Sequence, residues 1–218
     1  MKYPIKANII GKRLVNTMVM LTLAVMAGCA TNVKVEATFP KPIVNQLPYN
    51  LGVFYPAEFR DYTYVEASED RSERTINIGG AQTSLFNTVL PALFKQVEPV
   101  SQLQAPSSNL PLDLVMTMTV DDFQYTVPSE TRIDMYEVWV KYNLQLLDPQ
   151  GQLIADWILT AYGKTPSELM KSESEAITQA MIVALRDAGA NFALSFNKVP
   201  EIRQWLERKS QQQTQSQI

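Results

Sequence analysis

One stretch constrains this chain more than any other: YEVWVKYNLQLLDPQGQLIADWILTA, residues 136–161. Tyr136, Val138, Val140, Tyr142, Leu144 and Leu146 alternate with Glu137, Trp139, Lys141, Asn143 and Gln145. Successive strand side chains point to opposite faces, so this run is a strand with one apolar face. Asp148-Pro149-Gln150-Gly151 places Pro second and Gly fourth, the composition of a tight turn. Leu153, Ala155, Trp157, Leu159 and Ala161 then resume the alternation. The two runs are expected to close an antiparallel hairpin. Upstream, Leu112, Leu114, Met116, Met118 and Val120 alternate too. After Asp121-Asp122 the pattern resumes out of phase at Phe123 and Tyr125, which predicts a β-bulge.

The period changes elsewhere. Leu85, Phe86, Val89, Leu90, Leu93, Phe94 and Val97 form one stripe at helical spacing, predicting a helix over about 82–96. Pro91 lies inside it and removes one backbone bond, so a kink or restart is expected. Thr165-Pro166-Ser167-Glu168 reads as a capping box ahead of a long helix. That helix turns Ile177, Ala180, Met181, Ala184, Leu185, Ala188 and Phe192 inward. Pro200 opens a short last helix with Ile202, Trp205 and Leu206. Near the start, NLGVFY, FRDYTYVEA and the Ile76/Ile78 segment read as short strands, with the charged SEDRSER between the last two. The expected fold is α+β: a mostly antiparallel sheet, two main helices on one face, and a short C-terminal helix.

Composition narrows function. At 218 residues there is room for one domain, and 46% apolar content is enough for a packed core. The chain has no histidine. That removes the usual general base, the usual zinc ligand and every Ser-His or Cys-His nucleophile pair. No enzyme activity, cofactor or metal is expected. The four basic residues Lys2, Lys6, Lys12 and Arg13 precede Cys29, and no acidic residue does. Loss of that segment would leave 15 basic against 22 acidic residues, a net charge of −7. This argues against nucleic acid as a partner and against broad electrostatic docking to anionic lipid.

Cys29 is the single cysteine and closes the run LTLAVMAGCA. A basic segment followed by an apolar run too short to span a bilayer is the order of a secretory signal. Met26-Ala27-Gly28-Cys29 resembles the bacterial lipobox, with Met where leucine is usual. The resemblance implies cleavage between Gly28 and Cys29 and acylation of Cys29, with Ala30 favouring the outer membrane over inner-membrane retention. A plain secretory signal with an incidental cysteine and an uncleaved signal anchor are the alternatives. The expected organisation is a signal peptide over 1–28, an acylated cysteine and extended tether over 29–48, a periplasmic α+β domain over 49–209 and a disordered polar tail over 210–218. Pro40, Pro42 and Pro48 support the tether, since each blocks helix and disfavours central strand.

If the apolar sets face the helices, the opposite sheet face shows Val115, Thr117 and Thr119; Met135, Glu137, Trp139 and Lys141; and Ile154, Asp156, Ile158 and Tyr162. Trp139 among charges is a candidate hot spot for a partner, with Met135, Ile154, Ile158 and Tyr162 around it. Other motifs carry less. Ser195-Phe196-Asn197-Lys198 matches S-x-x-K but falls at a helix end, where that chemistry needs a helix start. Asp121 and Asp122 point to opposite faces of a strand and make no acid–base pair. Arg71 and Arg74 with Glu66, Glu69 and Asp70 read as a solvated loop. Gly79-Gly80 reads as turn geometry.

The stretches PYNLGVFYPAEFRDY, LFNTVLPALF, YEVWVKYNLQLLDPQGQLIADWILTAYGKTP and ALRDAGANF together resemble a group of uncharacterised proteobacterial outer-membrane lipoproteins. In element order the domain is also similar to auxiliary lipoproteins of envelope ABC transporters and to small envelope-assembly lipoproteins. The resemblance implies a lipid-anchored, periplasm-facing accessory or assembly factor. Its membrane contact would run through acyl chains on Cys29, and its partner would be another envelope protein. The alternative is a binder of lipid or another apolar envelope molecule. Its pocket would lie between the Pro91 helix and the sheet, with Met116, Met118 and Met181 as lining or plain core.

Overall fold

A computed structural model describes residues 31–68, 71–104, 106, 108–131, 133–167, 170 and 172–215. The expected signal peptide, Gly28 and Cys29 lie outside these residues, as do Glu69, Asp70 and Glu168. The strands are β1 (Thr31–Lys34), β2 (Leu47–Phe54), β3 (Thr63–Ser68), β4 (Arg71–Asn77), β5 (Phe94–Pro99), β6 (Leu114–Thr126), β7 (Met135–Leu147) and β8 (Leu153–Pro166). The helices are α1 (Ala57–Arg60), α2 (Gly79–Leu93), α3 (Glu173–Ser195) and α4 (Pro200–Gln215), with a 3₁₀ turn at Phe196–Lys198 before the last.

The strands form two sheets, ordered β5-β2-β6-β7-β8 and β1-β4-β3. The hairpin of β7 and β8 is antiparallel and pairs Tyr136 with Thr165 through Leu147 with Leu153. Its turn closes through Gly151 N–H donating to the Asp148 carbonyl at 2.9 Å, with Gly151 at φ 87, a conformation few other residues adopt. The bulge forms where the alternation slips, between Val120 and Asp122. It keeps Phe123 and Tyr125 on the apolar face, opposite Val140 and Val138.

The fold is mixed α+β, and its antiparallel character is confined to β6–β7–β8 and β3–β4. β2 pairs in parallel with both β5 and β6, and β1 pairs in parallel with β4. The cause is the route of the chain. β2 is separated from β5 by the β3–β4 unit and α2, a connection long enough to return the strand in the same direction.

Several boundaries differ from those expected. The helix expected over about 82–96 is α2, which ends at Leu93, and Phe94, Lys95 and Gln96 belong to β5, because pairing with β2 satisfies their backbone groups. Pro91 is accommodated within the last turn. Thr165 and Pro166 continue β8. The helix instead begins behind Ser172, whose side chain accepts the Glu175 N–H at 3.2 Å, an S-x-x-E box seven residues downstream of the expected start. The segment expected as an extended tether supplies β1, with Val33 and Val35 buried. Residues 210–215, expected as disordered tail, complete α4.

The core lies between the five-stranded sheet and the α2/α3 layer. Phe86 meets Tyr142 and Phe192 edge-on, with centroids 6.0 and 5.7 Å apart, and Phe59 packs beside them. Met116, Met118 and Met181 are fully buried members of this core. Gly163 lets α3 sit directly on β8: a Cβ there would lie 2.1 Å from the Ala180 carbonyl oxygen.

Candidate functional site

The face of β6–β8 turned away from the helices is built by strand register. Gln124, Trp139 and Tyr162 form one cross-strand row, and Thr126, Glu137 and Lys164 the row beside it. Trp139 is 38% exposed, and its ring packs on Tyr162 with centroids 5.0 Å apart and planes tilted by 36°. The Tyr162 hydroxyl donates to Glu137 Oε1, and Thr126 Oγ1 donates to Glu137 Oε2 at 3.3 Å. The Glu137 hydrogen bond, with a smaller contribution from burial, pushes the Tyr162 hydroxyl up to about 12. Together these bonds fix the Tyr162 ring on which Trp139 packs.

Polar pairs extend the face. Lys141 Nζ lies 2.6 Å from Asp121 Oδ2. Asn143 and Gln145 each donate to Asp156, at 2.7 and 2.9 Å. Ile158 stands opposite Asn143 and is 45% exposed. The result is an aromatic and aliphatic patch rimmed by carboxylates and amides. A patch of this kind can serve as a docking surface, since a rigid aromatic anchor loses little conformational freedom on binding.

The remaining expected face residues divide. Ile154 is half-buried, and Met135 is half-buried at the start of β7. Val115 and Thr117 are buried, contrary to expectation. Val115 pairs with Gly52 of β2. A Cβ on Gly52 would lie 2.9 Å from Leu112 and 3.0 Å from Val100, so these two side chains cover that end of the face. Leu153, expected inward, is exposed because the register shifts beside Leu147.

Arg74 also departs from the reading of a solvated loop. It sits in β4 with its side chain 15% exposed. Its Nε lies 2.8 Å from Glu173 Oε1, and Nη1 lies 3.5 Å from both Glu66 and Glu130. The Tyr125 hydroxyl donates to Glu66 and accepts from Arg74 Nη1 at 3.4 Å. This cluster ties β3, β4, the end of β6 and the start of α3 together. Sequence could not reveal it, because its members lie up to 99 residues apart.

A second surface was not anticipated. Residues 35–46 run as a strap along the groove between α2 and α3. A cleft of about 490 Å³ opens beside Ile43, Leu47, Leu93, Leu194, Phe196 and Lys198. A smaller one of about 130 Å³ opens beside Phe39, Lys41, Leu85, Val89, Arg186 and Gly189. Neither includes the three core methionines. Among the described residues, no helix is long and apolar enough to cross a membrane.

No family model matches the chain, and no curated protein matches it. Among solved structures it is similar to a Xanthomonas campestris protein of family DUF330, with a TM-score of 0.48 and 14% identity, covering 81% of this chain and 96% of that one. It is also similar to a minor lipoprotein from Acinetobacter baumannii, with a TM-score of 0.39 and 12% identity, covering 72% of this chain and 97% of that one. At this level neither likeness carries an argument about site, partner or activity.

Proposed function

We propose that this protein is a lipid-anchored, periplasm-facing lipoprotein of the outer membrane that binds another envelope protein as a non-enzymatic accessory or assembly factor. The lipobox-like Met26-Ala27-Gly28-Cys29 supports the anchor. The single observation that supports binding is the exposed Trp139–Tyr162 platform, locked by Glu137 on an uncovered sheet face. Anchoring raises the local concentration of a partner in the same membrane, so one modest face is enough for stable association.

The test is crosslinking capture of tagged protein from intact cells, with wild type and Trp139→Ala compared. A stoichiometric protein captured by wild type and lost from the variant is the expected result. Trp139→Ala removes one ring pair, worth about 1 kcal/mol beyond the area the ring buries, and thermal unfolding of the variant should show that it stays folded. Capture unchanged by the variant would place the docking surface elsewhere. Bound lipid without protein would overturn the adaptor reading.

A further inference from the structure

We infer that an extended segment of the partner protein adds to the outer edge of β8 as a sixth strand, with a basic residue facing Asp156 and apolar residues beside Ile158. This rests on the adaptor reading and names the form its partner takes.

The open edge follows from register. β8 ends the five-stranded sheet, with β7 as its one neighbour there. Tyr162 N–H donates to Asp187 Oδ2 of α3 at 3.1 Å, so it points away from β7. In an antiparallel pair the direction of the backbone groups alternates along the strand, so those of Asp156, Ile158 and Thr160 point outward as well. Among the described residues, no hydrogen bond reaches these outward groups. From Leu153 to Tyr162 the strand has no Pro, Gly or Lys to deter pairing, and Leu153 and Ile158 are exposed. The opposite edge of the sheet is defended. β5 is six residues long and carries Lys95. Val100 N–H donates to the Val53 carbonyl, so Pro99 before it faces outward and offers no N–H.

Packing and charge select the occupant. α3 lies directly on β8 at Gly163, and the helix layer follows the strand to Phe196, whose ring meets Trp157 at 6.0 Å. Two β8 edges paired about 4.8 Å apart would bring two copies of α3 to about 5 Å, where packed helices need about 8–10 Å. A second copy therefore does not fit, and an extended segment without its own helix layer does. Asp156 is the single charged residue from Leu153 to Tyr162. The amides of Asn143 and Gln145 bond its carboxylate but bring no opposing charge. Among the described residues it lies in no ion pair. A Lys or Arg at the cross-strand position supplies that cation, and apolar residues two positions away cover Ile158. The added strand lies beside Tyr162, on which Trp139 packs, so it extends the same face.

The full acylated protein in intact cells tests this. p-Benzoylphenylalanine replaces Ile158, Thr160, Trp139 or Lys95 in turn, and crosslinked peptides are mapped by mass spectrometry. Ile158 and Thr160 are expected to crosslink to one partner segment at residues two apart, and Lys95 to none. Thr160→Pro removes one outward N–H while sparing the bonds to β7, and should cut the Ile158 crosslink several-fold. Asp156→Arg sets like charges together and should also cut it several-fold, which keeps the test open if the proline variant melts early. Four outcomes would overturn strand addition and leave the adaptor reading standing: crosslinks from Trp139 with none from the edge, contacts that do not step by two, a crosslink to a second copy of this chain, or a yield unchanged by Asp156→Arg. No protein crosslinked from any position would overturn both.

Discussion

At the residue scale, glycine and tyrosine make the sharpest statements. Gly163 has backbone of α3 where a side chain would be: a Cβ there would lie 2.1 Å from Ala180 O and 2.3 Å from Ala184 N. Backbone cannot swing aside as a side-chain tip can. Gly163→Ala is therefore expected to cost about 3 kcal/mol in urea denaturation. Gly80 has nothing within 4 Å of such a Cβ, so Gly80→Ala should instead add about 0.5 kcal/mol. Tyr162 gives a pH prediction. Its hydroxyl is raised from 10.0 to about 12, chiefly by Glu137, so the folded state favours the neutral phenol. That contribution is complete below pH 10 and is lost as pH rises through 12. Glu137→Gln should bring the titration back toward 10.0, measured as tyrosinate absorbance against a Tyr162→Phe reference. Trp139 could be assigned to its face from alternation alone. Its stacking on Tyr162 could not, because that contact depends on how β7 and β8 are registered across the turn.

At the element scale, long periodic runs were legible and short or irregular ones were not. β6, β7 and β8 announce themselves because each carries an apolar series for one buried face, and the slip at Asp121-Asp122 even locates the bulge. β1 has four residues and β5 opens inside a helical stripe, so neither has enough periods to declare itself. Both exist because a neighbouring strand offers an unpaired edge. If residues 31–35 were a free tether, Val33→Ala would leave stability unchanged. Val33 is buried against the core, so the change should cost about 2 kcal/mol, read from thermal and denaturant unfolding. The helix start was misplaced for a similar reason. Thr165-Pro166-Ser167-Glu168 and Ser172-Glu173-Ser174-Glu175 both fit a cap, and the pairing of β8 with β7 through Pro166 removes the first.

At the scale of the whole molecule, one core is clamped from several sides. α2 and α3 cover the sheet, the strap covers their groove, and α4 closes the far end through Trp205. That ring meets Tyr49 of β2 edge-on at 4.9 Å, and Ile202 beside it is fully buried. Chains ending after Ser210 should therefore keep the full melting temperature. Chains ending after Val199 lose both anchors and should melt about 10 °C lower or more, as followed by circular dichroism. The same layering separates two surfaces. The helix layer carries the strap, exposed aliphatics and unpaired cations. The opposite sheet face carries the aromatic platform with its carboxylate rim.

The sequence by itself determined the α+β class, the three-strand meander with its bulge and turn, the two main helices, and the absence of histidine chemistry. These are local matters: alternation, helical spacing, turn residues and composition act over a few neighbours in the chain. Only the tertiary structure decided that β2 pairs in parallel, that a second sheet recruits residues 31–34, that Arg74 gathers three glutamates, and that Val115 and Thr117 are covered while Trp139 is not. Those outcomes depend on which distant segments meet, and the free energy that selects them comes from burial and hydrogen bonding between residues far apart in sequence.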